Sequence, residues 1–89
     1  MARIQCTQRL ETIGPCDPVQ CAGTTVSAVL DALAPQYPRL KSYVLDDQGQ
    51  VRKHVAIFVD GSLIPREQVL AFPVSDSTDI HIIQALSGG

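Results

Sequence analysis

Only one stretch of this chain carries clear helical periodicity. Val26, Val29, Leu30 and Leu33 fall at i, i+3, i+4 and i+7, a single apolar stripe. Thr24 or Thr25 is placed to accept a bond from an amide of the first turn. Pro35 stops the helix near Ala34, because a proline cannot continue a helix interior. The other apolar runs have strand character. Residues 2–10 alternate, with Ile4 and Cys6 on one side, and Val19 and Cys21 alternate around Gln20. Gly14-Pro15 and Asp17-Pro18 separate these two runs, which read as a hairpin. Val55-Ala56-Ile57-Phe58-Val59 ends in Asp60-Gly61, a hairpin turn signal, with Leu63-Ile64 as the return strand. The last strand is Ile80-His81-Ile82-Ile83-Gln84. Between helix and third strand, Leu40, Tyr43, Val44 and Leu45 suggest a short helical turn, and residues 65–77 suggest irregular packing under a loop.

The expected order is strand, strand, helix, strand, short strand, strand. One helix must then cover one face of a mixed sheet, which predicts a two-layer α+β domain with the first and last strands central. That is the β-grasp arrangement in its ubiquitin-like order. The 89 residues suffice for one domain, expected over 1–86, with 87–89 as a tail. A chain this short buries about 60–65% of its unfolded surface. That leaves space for a binding surface or a tail but hardly for a deep catalytic pocket, so an enzyme is not expected.

Charge and composition exclude further classes. The net charge is -2, with no basic run beyond Arg52-Lys53, 4% aromatic residues and no Trp. A nucleic-acid reader wants a basic face with stacking platforms. No apolar stretch approaches the ~20 residues of a membrane span, and the first residues lack a signal-peptide core. A cytoplasmic protein is expected. Cys6, Cys16 and Cys21 are odd in number and form no C-x-x-C pair. They read as two buried small hydrophobes and one loop thiol, the alternative being a metal or redox site with no clustered histidine to support it. No metal site is expected. His54 and His81 are lone imidazoles in different elements, and Ser75, Asp76, Ser77 and Asp79 fit turn chemistry better than catalysis.

The chain end is different. Two terminal glycines arise by chance in about 0.5% of chains at average glycine usage, and here they follow a strongly β-forming strand. A carboxylate on a tail without Cβ atoms can thread a narrow channel in another enzyme and attack the α-phosphorus of ATP. The reactive group would be the main-chain carboxyl of Gly89, so no side-chain site need be visible.

The segments "TTVSAVLDALAPQYP", "HVAIFVDG" and "FPVSDSTDIHIIQALSGG" resemble the MoaD/ThiS family of ubiquitin-like sulfur carriers over essentially the whole chain, with the "VRKHVAIFVDG" segment closer to the CysO-type branch. The resemblance implies that a ubiquitin-activating-type adenylating enzyme uses ATP to activate Gly89. A sulfurtransferase or other persulfide donor then converts it to a thiocarboxylate, and a biosynthetic synthase accepts the sulfur. The carrier itself binds no cofactor. Gly88 and Ser87 form the threading tail. The resemblance also implies docking through an exposed sheet face near the tail. Strand alternation turns Ile80 and Ile82 inward and His81 and Ile83 outward, so Ile83 is the leading docking residue, burial under a loop being its alternative. Leu86 fits a partner pocket, and Phe58 fits either the core or the outer surface. Two features depart from the family. The turn Asp76-Ser77-Thr78-Asp79 lacks a glycine, and Gln84-Ala85-Leu86 stands where the small subunits of molybdopterin synthase carry aromatic-proline character. The rival functions are a ubiquitin-like protein modifier that forms isopeptide bonds, that synthase subunit, and an interaction module whose tail is never activated.

Overall fold

A computed structural model of the chain describes residues 1–7, 10 and 12–84. Five strands form one mixed sheet: β1 (Ala2–Cys6), β2 (Val19–Cys21), β3 (Val55–Val59), β4 (Ser62–Leu63) and β5 (Asp79–Gln84), in the order β2-β1-β5-β3-β4. β1 runs antiparallel to β2 and parallel to β5, with Ile4 opposite both Val19 and Ile80. β3 is antiparallel to both of its neighbours, Ile57 facing Ile82 of β5 and Phe58 facing Leu63 of β4. The first and last strands are therefore adjacent and β5 is central, as the pattern predicted.

α1 (Val26–Leu33) buries all four residues of its stripe. The Thr25 side chain accepts from the Ala28 amide at 3.1 Å, which settles the choice of cap. The helix packs over Ile4, Ile57, Ile80 and Ile82, all of them buried. Each such side chain contributes about 1.5–3 kcal/mol of transfer free energy. Gly23 sits at φ +150° beneath the first turn, and a Cβ there would lie 2.8 Å from the Val29 amide nitrogen. The segment after the hairpin is sewn to the start of α1 by Val26 N–H to Phe72 O (3.2 Å) and Val74 N–H to Thr24 O (2.9 Å).

The cover is two helices rather than one. The expected helical turn extends to a seven-residue helix, α2 (Pro38–Val44), with proline in its first turn, where a missing N–H costs nothing. Leu40 and Val44, four residues apart, bury the same side of it, and Lys41 pairs with Asp31 of α1. β1 is also shorter than the alternation of residues 2–10 suggested. After Thr7 the amides of Leu10, Ile13 and Gly14 bond back to Thr7 and Leu10 carbonyls in tight turns. Leu10 and Ile13 thereby reach the core from a loop, and burial overrides strand propensity. Gly14 permits this, since a Cβ there would lie 2.7 Å from Cys6 Sγ. The hairpin turn is as expected, Asp60 and Gly61 both having positive φ (51° and 84°).

Candidate docking face and tail

The sheet has one covered face and one open face. On β5, Ile80 and Ile82 are buried while His81 is exposed and Ile83 half-buried on the other side. On β3, Val55, Ile57 and Val59 point inward, which places Ala56 and Phe58 on the open face. Phe58 thus belongs to the open face, where it is half-buried, directly opposite His81. Ile83 lies opposite Ala56. It is on the outer face, as alternation predicted.

Two residues of this face were not singled out from the sequence. Leu63, 59% exposed, pairs with Phe58 across the hairpin and extends the apolar surface to the sheet edge. Gln5 of β1 lies beside His81, its Oε1 3.0 Å from His81 Nε2, and its amide nitrogen donates to the Cys16 carbonyl at 2.7 Å. The parallel pairing of β1 with β5 brings these residues together across the chain. A turn signal marks the β3–β4 hairpin locally, but no local pattern encodes that parallel register.

Further along the open face, Arg3 and Asp79 form a two-pronged ion pair, Nε to Oδ1 at 2.7 Å and Nη2 to Oδ2 at 3.1 Å. Both side chains are exposed, so the pair contributes less than about 1 kcal/mol. Asp79 is anchored from its backbone as well, its N–H donating to Asp60 Oδ1 at 2.9 Å. The glycine-free turn needs no glycine. The Thr78 amide donates to the Ser75 carbonyl (3.1 Å), and Thr78 Oγ1 accepts from the Ser75 amide (2.8 Å). Among the described residues, positive φ occurs only at Gly23, Gly49, Asp60 and Gly61. Ser75, Asp76 and Ser77 are exposed turn residues with no nucleophile–base geometry.

The thiols are structural in character. Burial, reinforced by the neighbouring Cys16, pushes the Cys6 thiol up to about 12, and burial also raises Cys21. Cys16 is half-buried with its Sγ 3.8 Å from the Thr7 carbonyl, and none of the three forms a disulfide. His54 packs edge-on against Tyr43, centroids 5.3 Å apart at 84°. Among the described residues no cluster of His, Cys, Asp and Glu is placed to hold a metal ion, and no helix is long and apolar enough to cross a membrane. The expected tail residues Leu86, Ser87, Gly88 and Gly89 lie outside the described residues. β5 itself ends at Gln84, opposite Val55, with β1 and β3 on either side of the strand.

The sequence model of the ThiS family matches residues 11–89, which takes in both the sheet's central strand and the final glycines. The chain belongs to the ThiS family. Members of this family are small carrier proteins rather than enzymes, and they work with partner enzymes. No individually curated protein matches the sequence. Among solved structures, the fold is similar to that in the Amycolatopsis orientalis BexX/CysO complex, with 18% identity, full coverage of both chains and a TM-score of 0.85. Mycobacterium tuberculosis CysO, an antigen, is similar at 20% identity, with 97% of this chain and 100% of that one covered and a TM-score of 0.83. The small archaeal modifier protein 1 of Haloferax volcanii is similar at 22% identity, with 96% and 97% covered and a TM-score of 0.73. At these identities the likeness establishes the ubiquitin-like β-grasp fold.

Proposed function

We propose that this chain is a sulfur carrier whose working group is the Gly89 carboxylate, borne on a tail, residues 87–89, that leaves a domain of residues 1–86. The observation that carries this reading is the family match, which runs through Gly88 and Gly89. The carboxylate attacks the α-phosphorus of ATP in a ubiquitin-activating-type enzyme, releasing pyrophosphate and leaving an acyl-adenylate. The terminal sulfur of a persulfide donor then displaces AMP to give an acyl disulfide. A second thiol takes the donor's sulfur into a disulfide and leaves the thiocarboxylate, which a cytoplasmic biosynthetic synthase consumes. Cofactor chemistry belongs to the partners, and the carrier binds neither ATP nor metal. The open face docks these enzymes through Phe58, Leu63, His81 and Ile83, with Leu86 beyond the strand and Ser87 leading into the glycines.

The test is the mass of the C-terminal peptide after incubation with ATP, the activating enzyme and a sulfide source. The intact mass is unsafe, because oxidation of Met1 or a cysteine adds nearly the same increment as exchanging oxygen for sulfur. Sulfur at Gly89 is expected. Removal of Gly88 and Gly89 abolishes loading while leaving the melting temperature nearly unchanged, because a terminal tail contributes little to stability. A truncated chain that still acquires sulfur overturns the assignment. The second reading, a ubiquitin-like protein modifier, is favoured by the likeness to the archaeal modifier. It predicts lysine-linked adducts of this chain in cell extract and no thiocarboxylate. The Gln84-Ala85-Leu86 ending speaks against the molybdopterin-synthase subunit.

A further inference from the structure

The three cysteines pack the reduced chain, and two of them are also placed to join. The Cys6 amide donates to the Pro15 carbonyl at 2.7 Å, which lays β1 against the residue just before Cys16. Bond lengths and hydrogen-bond angles then bring the Cα atoms of Cys6 and Cys16 within about 6.5 Å of each other. Disulfides span about 4.4–6.8 Å between Cα atoms. Each sulfur also lies against the chain that carries the other. Cys16 Sγ is 3.8 Å from the carbonyl oxygen of Thr7, the neighbour of Cys6. Cys6 Sγ rests on Gly14, two residues before Cys16, where a Cβ would come within 2.7 Å of it. The Gln5 side chain pins the same loop by donating to the Cys16 carbonyl at 2.7 Å. Cys21 is out of reach. It pairs with Ala2, four residues down β1 from Cys6, a separation of about 13 Å along the strand.

Access separates the two thiols. Cys6 is 2% exposed, whereas Cys16 is half-buried and open to a small solute. We propose that Cys16 is an oxidation site and Cys6 its resolving thiol, the two forming an intramolecular disulfide when a peroxide meets the folded chain. The Cys16 thiolate attacks one peroxide oxygen and breaks the O–O bond, leaving a sulfenic acid. The hydroxide released takes up the proton that the Cys16 thiol gave up. Cys6 sulfur then displaces the sulfenic oxygen, which departs as water with the Cys6 thiol proton. Two thiols thus lose two electrons in all, and one peroxide becomes two waters. Burial holds the Cys6 thiol up to about 12, which keeps it from attacking the peroxide itself. The order of events is therefore set by the fold. The bridge closes the loop that carries Leu10 and Ile13 into the core, and it forms whether or not the tail is ever activated.

The test treats the reduced, full-length chain with hydrogen peroxide under native conditions, unfolds it, alkylates the remaining thiols with iodoacetamide and maps the peptides by mass. The expected product is a monomer lighter by two hydrogens, with Cys6 joined to Cys16 and only Cys21 alkylated. It keeps a cooperative melt, because the bridge spans a distance the fold already provides. A Cys16 that ends as a sulfinic acid or as a dimer between chains, with Cys6 still alkylated, overturns the inference. So does a bridge to Cys21, or loss of the cooperative melt on oxidation. Peroxide in concentrated urea is the control for the fold. There the pairing is expected to shift toward Cys16 and Cys21, which close the shorter loop. A preference for Cys6 and Cys16 that persists in urea would take the pairing away from the tertiary structure. Cys16→Ser is expected to leave Cys6 and Cys21 both reduced after the native treatment, and a bridge between those two would again overturn the assignment.

Discussion

The two faces of β5 differ by one residue of phase and by everything that follows from it. Ile80 and Ile82 sit under the helices with almost no exposure, while His81 and Ile83 face outward. The covered face is apolar and determined by packing, and any side chain there is judged by volume. The open face mixes an apolar band with a polar bridge, Gln5 to His81, that does little for stability. A sheet face that gains little by folding but remains partly apolar is available for a partner. One strand thus supplies both the packed core and the open face.

That contrast can be broken at adjacent positions. Ile82→Ala is expected to cost about 2–5 kcal/mol in chemical denaturation, as lost transfer energy and cavity add. Ile83→Asp, one residue on, is expected to cost under about 1 kcal/mol yet weaken docking to the activating enzyme at least tenfold. Unchanged affinity in a titration would remove Ile83 from the docking face, and a large stability loss would mean that the open face is packed after all. Next in size is Gly14→Ala. The added methyl would press on Cys6 Sγ at 2.7 Å and Leu40 Cδ1 at 3.1 Å, so a loss of about 1–3 kcal/mol is expected. A neutral result would show that the loop under Leu10 and Ile13 yields easily.

The smallest effect concerns the inner thiols. Cys6 stays protonated in the folded chain up to about 12, whereas an unfolded thiol ionises near 9. Between those values the native state holds more protons than the unfolded state. Stability therefore falls as pH rises through this window and is full below it. The stability advantage of the wild type over Cys6→Ala should shrink from pH 8 to about pH 10.5 in urea titrations. A constant difference would mean that Cys6 ionises in place. The same burial predicts that iodoacetamide labels Cys16 first in the native chain, and all three cysteines once unfolded.

Wherever the signal was local, reading the residues in order sufficed. The stripe of α1, the Asp60-Gly61 turn and the alternation of β5 are all consequences of neighbours a few positions apart, whereas which side of β3 faces the core was decided only in the fold. Residues 38–44 were under-read because their apolar pair, Leu40 and Val44, is too short to separate a helix from a turn. Alternation over residues 2–10 carries the strand on to Leu10, because it gives no notice of where β1 must stop.

The sequence by itself determined the main helix, the strand runs, the inner and outer sides of β1 and β5, and the glycine ending on which the proposed function rests. Only the tertiary structure decided what the outer side consists of. Gln5 and His81 meet from 76 residues apart through the parallel pairing of β1 and β5. Periodicity is written by the backbone's own repeat and can be read locally. Register between distant strands is set by how the whole core packs, and no short stretch of residues contains it.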